Sequence, residues 1–378
     1  MNEIIISFIV IFICLFILWI IGYINKKNKL KKLLEYSFIN SPYKKLEEED
    51  HVTCFLCLKN YDFLSGQMNG MISLYSHKDF SNISLIIEHC EPITSLSELN
   101  DGSILSSSAD GTLKKIKLLI NSDNSRNKNY LVEFVFYTNK EFIFKSIQIK
   151  NSDDILSCNI AKELILWKKT QNEIELYKVN QILLKDEYVQ DILQINENTF
   201  ITSGESVQFW DINNYKPIKK LKYSTKGSNS IYILNEELTG IFLKNKGSIL
   251  IINNNDLIDV KVINLTNFSL TSLKSLTNKI ILVGIFDEQN KKSSINQYIL
   301  NIKYNNAKKE KAIDFNKIEM IELKKETINS DEDDFYFEGL NWSRINTIDE
   351  IDNYVVLGLG GQEKMKNFGR LIIFEKSK

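Results

Sequence analysis

The sequence predicts an all-β fold, a seven-bladed β-propeller preceded by one N-terminal transmembrane α-helix. Three observations predict it. Residues 101–118 read as two short strands punctuated by the turns Asp101-Gly102 and Asp110-Gly111, and weaker copies of this pattern recur down the chain. One copy cannot bury its own apolar face, so the copies must pack on one another. Residues 4–24, from Ile4 to Ile24, are almost wholly apolar and carry no charge. The last copy, residues 344–374, is one strand short, and the stretch just ahead of the first copy is left to complete it.

The apolar run comes first. At about 1.5 Å per residue it makes a helix of roughly 30 Å, the thickness of a bilayer's hydrocarbon core. Trp19 and Tyr23 fall near its end, where amphipathic rings favour the interface. The start, Met-Asn-Glu, lacks the basic residues of a cleaved signal peptide, and no small-residue cleavage site follows. Lys26, Lys27, Lys29, Lys31 and Lys32 crowd one flank only, which predicts that this flank and everything after it face the cytoplasm. The chain thus divides into an anchor (1–25), a basic juxtamembrane linker (26–41) and a propeller (42–378), on an endomembrane such as the endoplasmic reticulum rather than the plasma membrane.

Each blade should read strand, turn, strand, turn, strand, then a more variable outer strand. Six of the inner strands begin near residues 52, 144, 189, 230, 270 and 344, and blade two runs from Cys90 to about Glu141 around the Asp-Gly turns. Asn69-Gly70, Asp101-Gly102 and Asp110-Gly111 suit two-residue hairpin turns whose central residues both take positive φ. The segment 42–47, Pro-Tyr-Lys-Lys-Leu-Glu, resembles 217–222, Pro-Ile-Lys-Lys-Leu-Lys, which precedes an inner strand. Residues near 43–48 should therefore be the outer strand of blade seven, pairing the two ends of the chain and removing an open sheet edge.

Composition bounds the function. Lysine and arginine number 47 against 48 aspartate and glutamate, so no basic excess marks a nucleic-acid surface. Five scattered cysteines do not form the dense framework of a secreted disulfide scaffold. His51, Cys54 and Cys57 have metal-like spacing, but a strand puts Cys54 and Cys57 on opposite faces, so no metal and no cofactor is expected. Gly358, Gly360 and Gly361 lack the following helix that a phosphate loop needs, and fit close strand approach instead. Asp331, Glu332, Asp333 and Asp334, followed by Phe335, Tyr336 and Phe337, make an acidic and aromatic candidate docking loop between blades six and seven.

Blade four ends Val207-Gln208-Phe209-Trp210-Asp211 and supplies Ser203, while blade two supplies His89, Ser107 and Asp110. In these marks the chain resembles the WD-repeat (WD40-like) β-propeller family, over residues 42–374. In that family a His, a Ser or Thr, an Asp and a Trp form a buried structural network within each repeat. The resemblance implies the same role for His89, Ser107, Asp110, Ser203, Trp210 and Asp211, with no catalytic residue among them. Blade two has Ile116 and Lys117 where Trp-Asp would lie, and blades five to seven lack nearly all the polar marks. The resemblance implies a membrane-anchored, non-catalytic scaffold that docks proteins or peptides. An alternative within the same setting is a regulator of a small GTPase in vesicle trafficking, an exchange-factor-like propeller at the endoplasmic reticulum. A propeller enzyme would need acids, histidines or metal ligands converging on one channel mouth, and three histidines with no ligand motif do not supply them.

Overall fold

The computed structural model describes residues 43–119, 130–137, 141–169, 177–184, 187–221, 231–243, 247–257, 260–276, 280–290, 292–302, 304–305, 312–313, 318–328, 342–363 and 366–376. The expected anchor and linker lie outside them, and among the described residues no helix is long and apolar enough to cross a membrane. Seven four-stranded antiparallel sheets form a β-propeller. Blade one is Val52–Cys57, Phe63–Gln67, Met71–Tyr75 and Asn82–Ile87, and blade two is Ile93–Glu98, Ile104–Ser108, Thr112–Leu118 and Tyr130–Tyr137. Blade three is Ile143–Gln148, Ile155–Asn159, Leu164–Lys169 and Tyr177–Leu184; blade four is Val189–Gln194, Thr199–Gly204, Val207–Asp211 and Pro217–Leu221. Blade five is Ile231–Ile233, Leu238–Phe242, Ser248–Asn253 and Val260–Asn264, and blade six is Ser269–Ser275, Ile280–Asp287, Lys292–Asn301 and Glu319–Ile328. Blade seven takes Trp342–Ile351, Tyr354–Glu363 and Lys366–Glu375 from the end of the chain and its outer strand, Lys44–Glu48, from the beginning. A two-stranded ribbon, Tyr304–Asn305 with Ala312–Ile313, is inserted in blade six.

The second strands of the blades are buried on both faces, which explains why they read as continuous apolar or small-residue runs rather than alternating ones. In Ile104–Ser108, Ile104 packs with blade one and its neighbour Leu105 with blade three. The core is accordingly divided into seven apolar clusters, one between each pair of neighbouring blades. Burial of this kind, at about 25 cal/mol per Å² of apolar surface, is the main force holding blade to blade.

Near the axis the blades approach more closely than ordinary side chains allow. Six inner strands carry a bulge at the same place, at Thr53, Thr94, Phe144, Gln190, Thr271 and Asn346. The residue facing the strand just after that bulge is Gly66, Ser107, Cys158, Ser203, Gly284 or Gly358. All are small because the next blade's inner strand leans on them. A Cβ on Gly66 would lie 2.7 Å from Ile93, and one on Gly358 would lie 2.7 Å from Val52.

The chain ends meet as expected. Lys44 to Glu48 pair antiparallel with Ile373 to Gly369, and the Tyr43 amide donates to the Ile373 carbonyl at 2.7 Å. Blade seven also reaches blade one through Asn346 Nδ2, which donates to the Val52 carbonyl at 2.7 Å. Its neighbour on the other side is the inner strand of blade six, so the circle is complete.

The hairpin turns differ from the sequence expectation. Only the glycines take positive φ, Gly70 at 86°, Gly102 at 80° and Gly111 at 79°, while Asp101 and Asp110 do not. The Gly102 amide donates to Leu99 O and the Leu99 amide to Ser103 O, the pattern of a three-residue loop closed by a left-handed glycine. The aspartates act through their side chains instead. Asp101 Oδ1 accepts from the Ser103 amide at 3.0 Å and Asp110 Oδ1 from the Thr112 amide at 2.9 Å.

Replacing Gly358 by Val should force Thr347 or Val52 aside and lower stability by about 1–3 kcal/mol, read as a drop in thermal midpoint. The same change at exposed Gly102 has no neighbour to strike, and its cost should be limited to the turn's positive φ.

Candidate functional site

Because successive strands of each blade run in opposite directions, the ring has two unlike faces. One, the upper, carries the turns between second and third strands and the connections from one blade to the next. The lower carries the other two sets of turns and also receives Tyr43 and releases Glu375.

On the upper face of blade two, His89 lies in the connection ahead of the inner strand. Its Nδ1 is 2.9 Å from Asp110 Oδ2. A carboxylate can only accept, so Nδ1 donates, and in the neutral ring Nε2 accepts from Ser106 Oγ at 2.8 Å. Ser106, rather than Ser107, is therefore the hydroxyl that meets this histidine. Adjacent strand residues point to opposite faces, and Ser107 is turned toward blade three. There its hydroxyl joins Ser146 Oγ at 2.5 Å and Ser95 Oγ at 3.0 Å, a link between blades. Burial alone would raise the Asp110 pKa, but hydrogen bonds from His89 and Thr112 outweigh it and hold the carboxyl well below the usual range.

The same one-residue offset appears in blade four. Trp210 Nε1 donates to Thr202 Oγ1 at 3.0 Å and its ring stacks on Phe200, whereas Ser203 faces blade five. Asp211 lies outside this pair and organises the exposed turn below it, accepting from the Asn213 amide at 2.9 Å and from Asn214 Nδ2 at 2.6 Å. Blade three repeats the tryptophan contact, with Trp167 Nε1 donating to Ser157 Oγ at 2.8 Å.

Two carboxylates do in blades one and four what His89 does in blade two. Glu48, at the end of the closing strand, accepts from Ser65 Oγ, from Gln67 Nε2 at 2.7 Å and from Ser73 Oγ at 3.0 Å. Burial raises its pKa despite the donors from Ser65, Ser73 and Tyr75. Glu187 accepts from Ser206 Oγ, from Gln208 Nε2 at 2.8 Å and from Lys220 Nζ at 2.5 Å. In all three cases a side chain at the end of an outer strand or in the connection that follows one grips the strands beside the upper turn. A search for histidine overlooks two of them; an acid two to four residues ahead of an inner strand was the available signal. Around these clamped loops the upper face exposes Met68, Ile160 and Phe268.

On the lower face the last residue of an inner strand reaches back to the preceding blade. Glu98 accepts from the Lys59 amide at 3.1 Å, Gln148 from the Asn100 amide at 2.6 Å and Gln194 from the Lys150 amide at 2.8 Å. Ser275 Oγ donates to Leu234 O at 2.6 Å in the same sense. Cys54 and Cys57 pack into different interblade clusters, and burial pushes their thiols up to about 12 and about 11. The acidic stretch with Asp331, Asp333, Asp334, Phe335 and Tyr336 lies outside the described residues. Its two described flanks, the strand ending at Ile328 and the strand opening at Trp342, both meet the upper face.

No protein-family model matches the chain, and no curated protein matches it in sequence. Among solved structures, the chain is similar to the β-propeller domain of Cps50 (Swd1) from Myceliophteria thermophila. The TM-score is 0.59 at 11% identity, over 89% of this chain and 99% of that one. The likeness shows the fold alone, a β-propeller, in agreement with the seven sheets of this chain.

Asp110→Ala should leave His89 buried without its acceptor and cost about 1–3 kcal/mol, and Ser106→Ala should weaken the same clamp. Ser107→Ala should instead loosen blade two from blade three, so a double substitution with Ser146→Ala should be strongly non-additive in denaturant unfolding. The depressed Asp110 pKa gives stability that is fully present above the unfolded value of about 3.9 and is lost as pH falls below it. Acid unfolding of the Asp110→Asn protein should therefore be shallower than that of the parent.

Glu48→Ala should cost about 1–3 kcal/mol by stranding buried donors, whereas Glu48→Gln, neutral and of equal size, should keep most of the stability. Since burial raises this pKa, ionisation of Glu48 opposes folding. Its share of stability is full below about pH 4 and declines as pH rises from there, a slope the glutamine protein should lack.

Proposed function

We propose that this chain is a membrane-anchored, non-catalytic scaffold that docks proteins or peptides on the upper face of its propeller. The observation that carries it is the set of clamps at His89, Glu48 and Glu187. They hold upper-face loops in fixed positions, and a surface ordered beforehand loses less entropy when a partner binds. On that face His89, Asp110, Glu48 and Glu187 are engaged in structural hydrogen bonds. Met68, Ile160 and Phe268 supply separated apolar contacts around the rim, and the acidic segment 331–334 would add charge complementarity toward a basic partner.

The anchor, residues 4–24, would keep the ring at an endomembrane with the propeller in the cytoplasm, supported by the lysines at 26–32 and the uncharged run before them. Confinement to a surface raises the effective concentration of whatever is docked.

Two measurements test this. Proximity labelling from the carboxyl terminus in intact and permeabilised cells should recover cytosolic neighbours, and reversing the charges of Asp331 to Asp334 should reduce capture of basic partners; unchanged capture removes that segment from the docking surface. Asn82, Asn264 and Asn267 are exposed and sit in Asn-x-Ser/Thr sequences, so they report sidedness. No mobility shift on glycosidase treatment is expected, and a shift would put the ring on the other side of the membrane.

A further inference from the structure

The outer strand of blade one, Asn82–Ile87, reads Asn-Ile-Ser-Leu-Ile-Ile and carries no charge, at the outer edge of its sheet. Each of the other six outer strands carries at least one, such as Glu133 in blade two, Lys178 in blade three, Lys219 and Lys220 in blade four and Lys261 in blade five. Ile86 is buried toward blade two, while Ile83, Leu85 and Ile87 stand in a row on the opposite face, 37%, 38% and 57% exposed. Charge is a common guard of a sheet edge, and an exposed apolar row without it marks a surface that meets something other than water.

Two exposed tyrosines stand at the foot of this row. The ring of Tyr43 lies 5.9 Å from that of Phe80, two residues ahead of Asn82, and the ring of Tyr61 lies 6.1 Å from that of His77, in the same turn as Phe80. Lysines flank them: Lys44 Nζ donates to Asp79 O at 2.6 Å, and Lys78 is exposed beside it. Asp79, the exposed acid of the turn, is engaged by Ser81, accepting from its amide at 3.1 Å and its hydroxyl at 2.8 Å. Aliphatic side chains, tyrosine rings and ammonium groups in adjoining positions match the three layers of a lipid interface: acyl boundary, headgroup level and phosphate.

The chain itself comes to this corner. Tyr43 is the first described residue, and eighteen residues, 25–42, join it to the apolar run 4–24. Even fully extended they span at most about 60 Å. On the anchored reading, the corner of the ring tied to the bilayer is the corner that carries the uncharged edge. Ile218 of blade four and Val262 of blade five, by contrast, are exposed apolar residues on strands that carry lysine.

We infer that the outer strand of blade one and the turn at its foot lie against the bilayer surface, with Ile83, Leu85 and Ile87 at the acyl boundary and Tyr43 and Tyr61 among the headgroups. The inference rests on the anchored reading above and commits to lipid as the occupant of the row. The ring then stands on its rim, and its upper face stays free for docking.

Fluorescence quenching by brominated lipid tests it, with the full-length chain reconstituted in phosphatidylcholine vesicles and in a background with Cys14→Ser and Cys90→Ser. A polarity-sensitive label on Leu85→Cys should be quenched at least threefold more than the same label on Ile218→Cys, after subtraction of the background protein treated alike. With the label on Tyr61→Cys, Ile83→Asp combined with Ile87→Asp should reduce quenching at least threefold and Ile83→Leu combined with Ile87→Leu should preserve it. The thermal midpoint of each variant reports that the ring is intact. Equal quenching at 85 and 218 in a chain that resists alkaline carbonate extraction would overturn the inference and leave the anchor standing, whereas release of the chain by carbonate would overturn the anchored reading and the inference with it. An unquenched label at 85, together with a disulfide between the Leu85→Cys positions of two chains, would assign the row to a second copy and overturn the inference.

Discussion

The pairing of Lys44–Glu48 with Lys366–Glu375 is the contact on which the rest of this ring depends. It completes the fourth strand of blade seven and, through Glu48, fixes that blade to Ser65, Gln67 and Ser73 of blade one. The cluster between those two blades, with Val52, Phe63, Tyr75, Phe80, Val356, Leu371 and Ile373, is fully formed only when the strand is in place. In an open arc that cluster would face water on both sides of the gap, while the other six clusters would be unchanged. Arg370 Nε, which donates to Glu47 Oε2 at 3.0 Å, adds an ion pair at the same seam, though a partly exposed pair of this sort is worth only about 0–1 kcal/mol. Apolar burial and the buried Glu48 cluster carry most of the closure.

Closing a circle of blades also demands a narrow centre, and the structure meets it by the same means around the axis. A bulge in the inner strand turns the backbone, and a small residue opposite lets the next blade press in. The polar links follow that geometry. Thr53 Oγ1 donates to Ile93 O at 2.6 Å and Asn346 Nδ2 to Val52 O, each from a bulge to the next blade. Specificity of packing near the axis and rigidity of the upper loops therefore have one origin, the requirement that each blade fit its neighbours on both faces.

Much of this architecture is legible in the sequence. The seven-blade count, the inner strands and the closing segment follow from turn chemistry and from one missing strand, signals that are local and strong. Two kinds of error have physical causes. Ser107 and Ser203 were one residue away from the hydroxyls that meet His89 and Trp210, because both faces of these strands are buried and small polar residues occupy each. Sequence alone gives no contrast between inside and outside in such a strand. Glu48 and Glu187 were invisible as clamps because a carboxylate in a connection resembles any solvated acid until its donors converge. The turns gave the right location and the wrong type: aspartate stabilises a turn as readily through its side chain as through its own φ. The fourth strand of blade three, Tyr177–Leu184, carries no turn signal on its leading side.

The distance in sequence between the two halves of the clasp has a consequence for biosynthesis. Lys44 emerges from the ribosome well ahead of its partner Ile373. At about 5–20 residues per second, roughly 16–65 s pass before the two can meet. During that interval blades one to six can stack in order as they appear, yet Val52 and Phe63 remain without their cover. A nascent chain in this state is a natural client for chaperones, and any truncation that removes Lys366–Glu375 leaves it there for good.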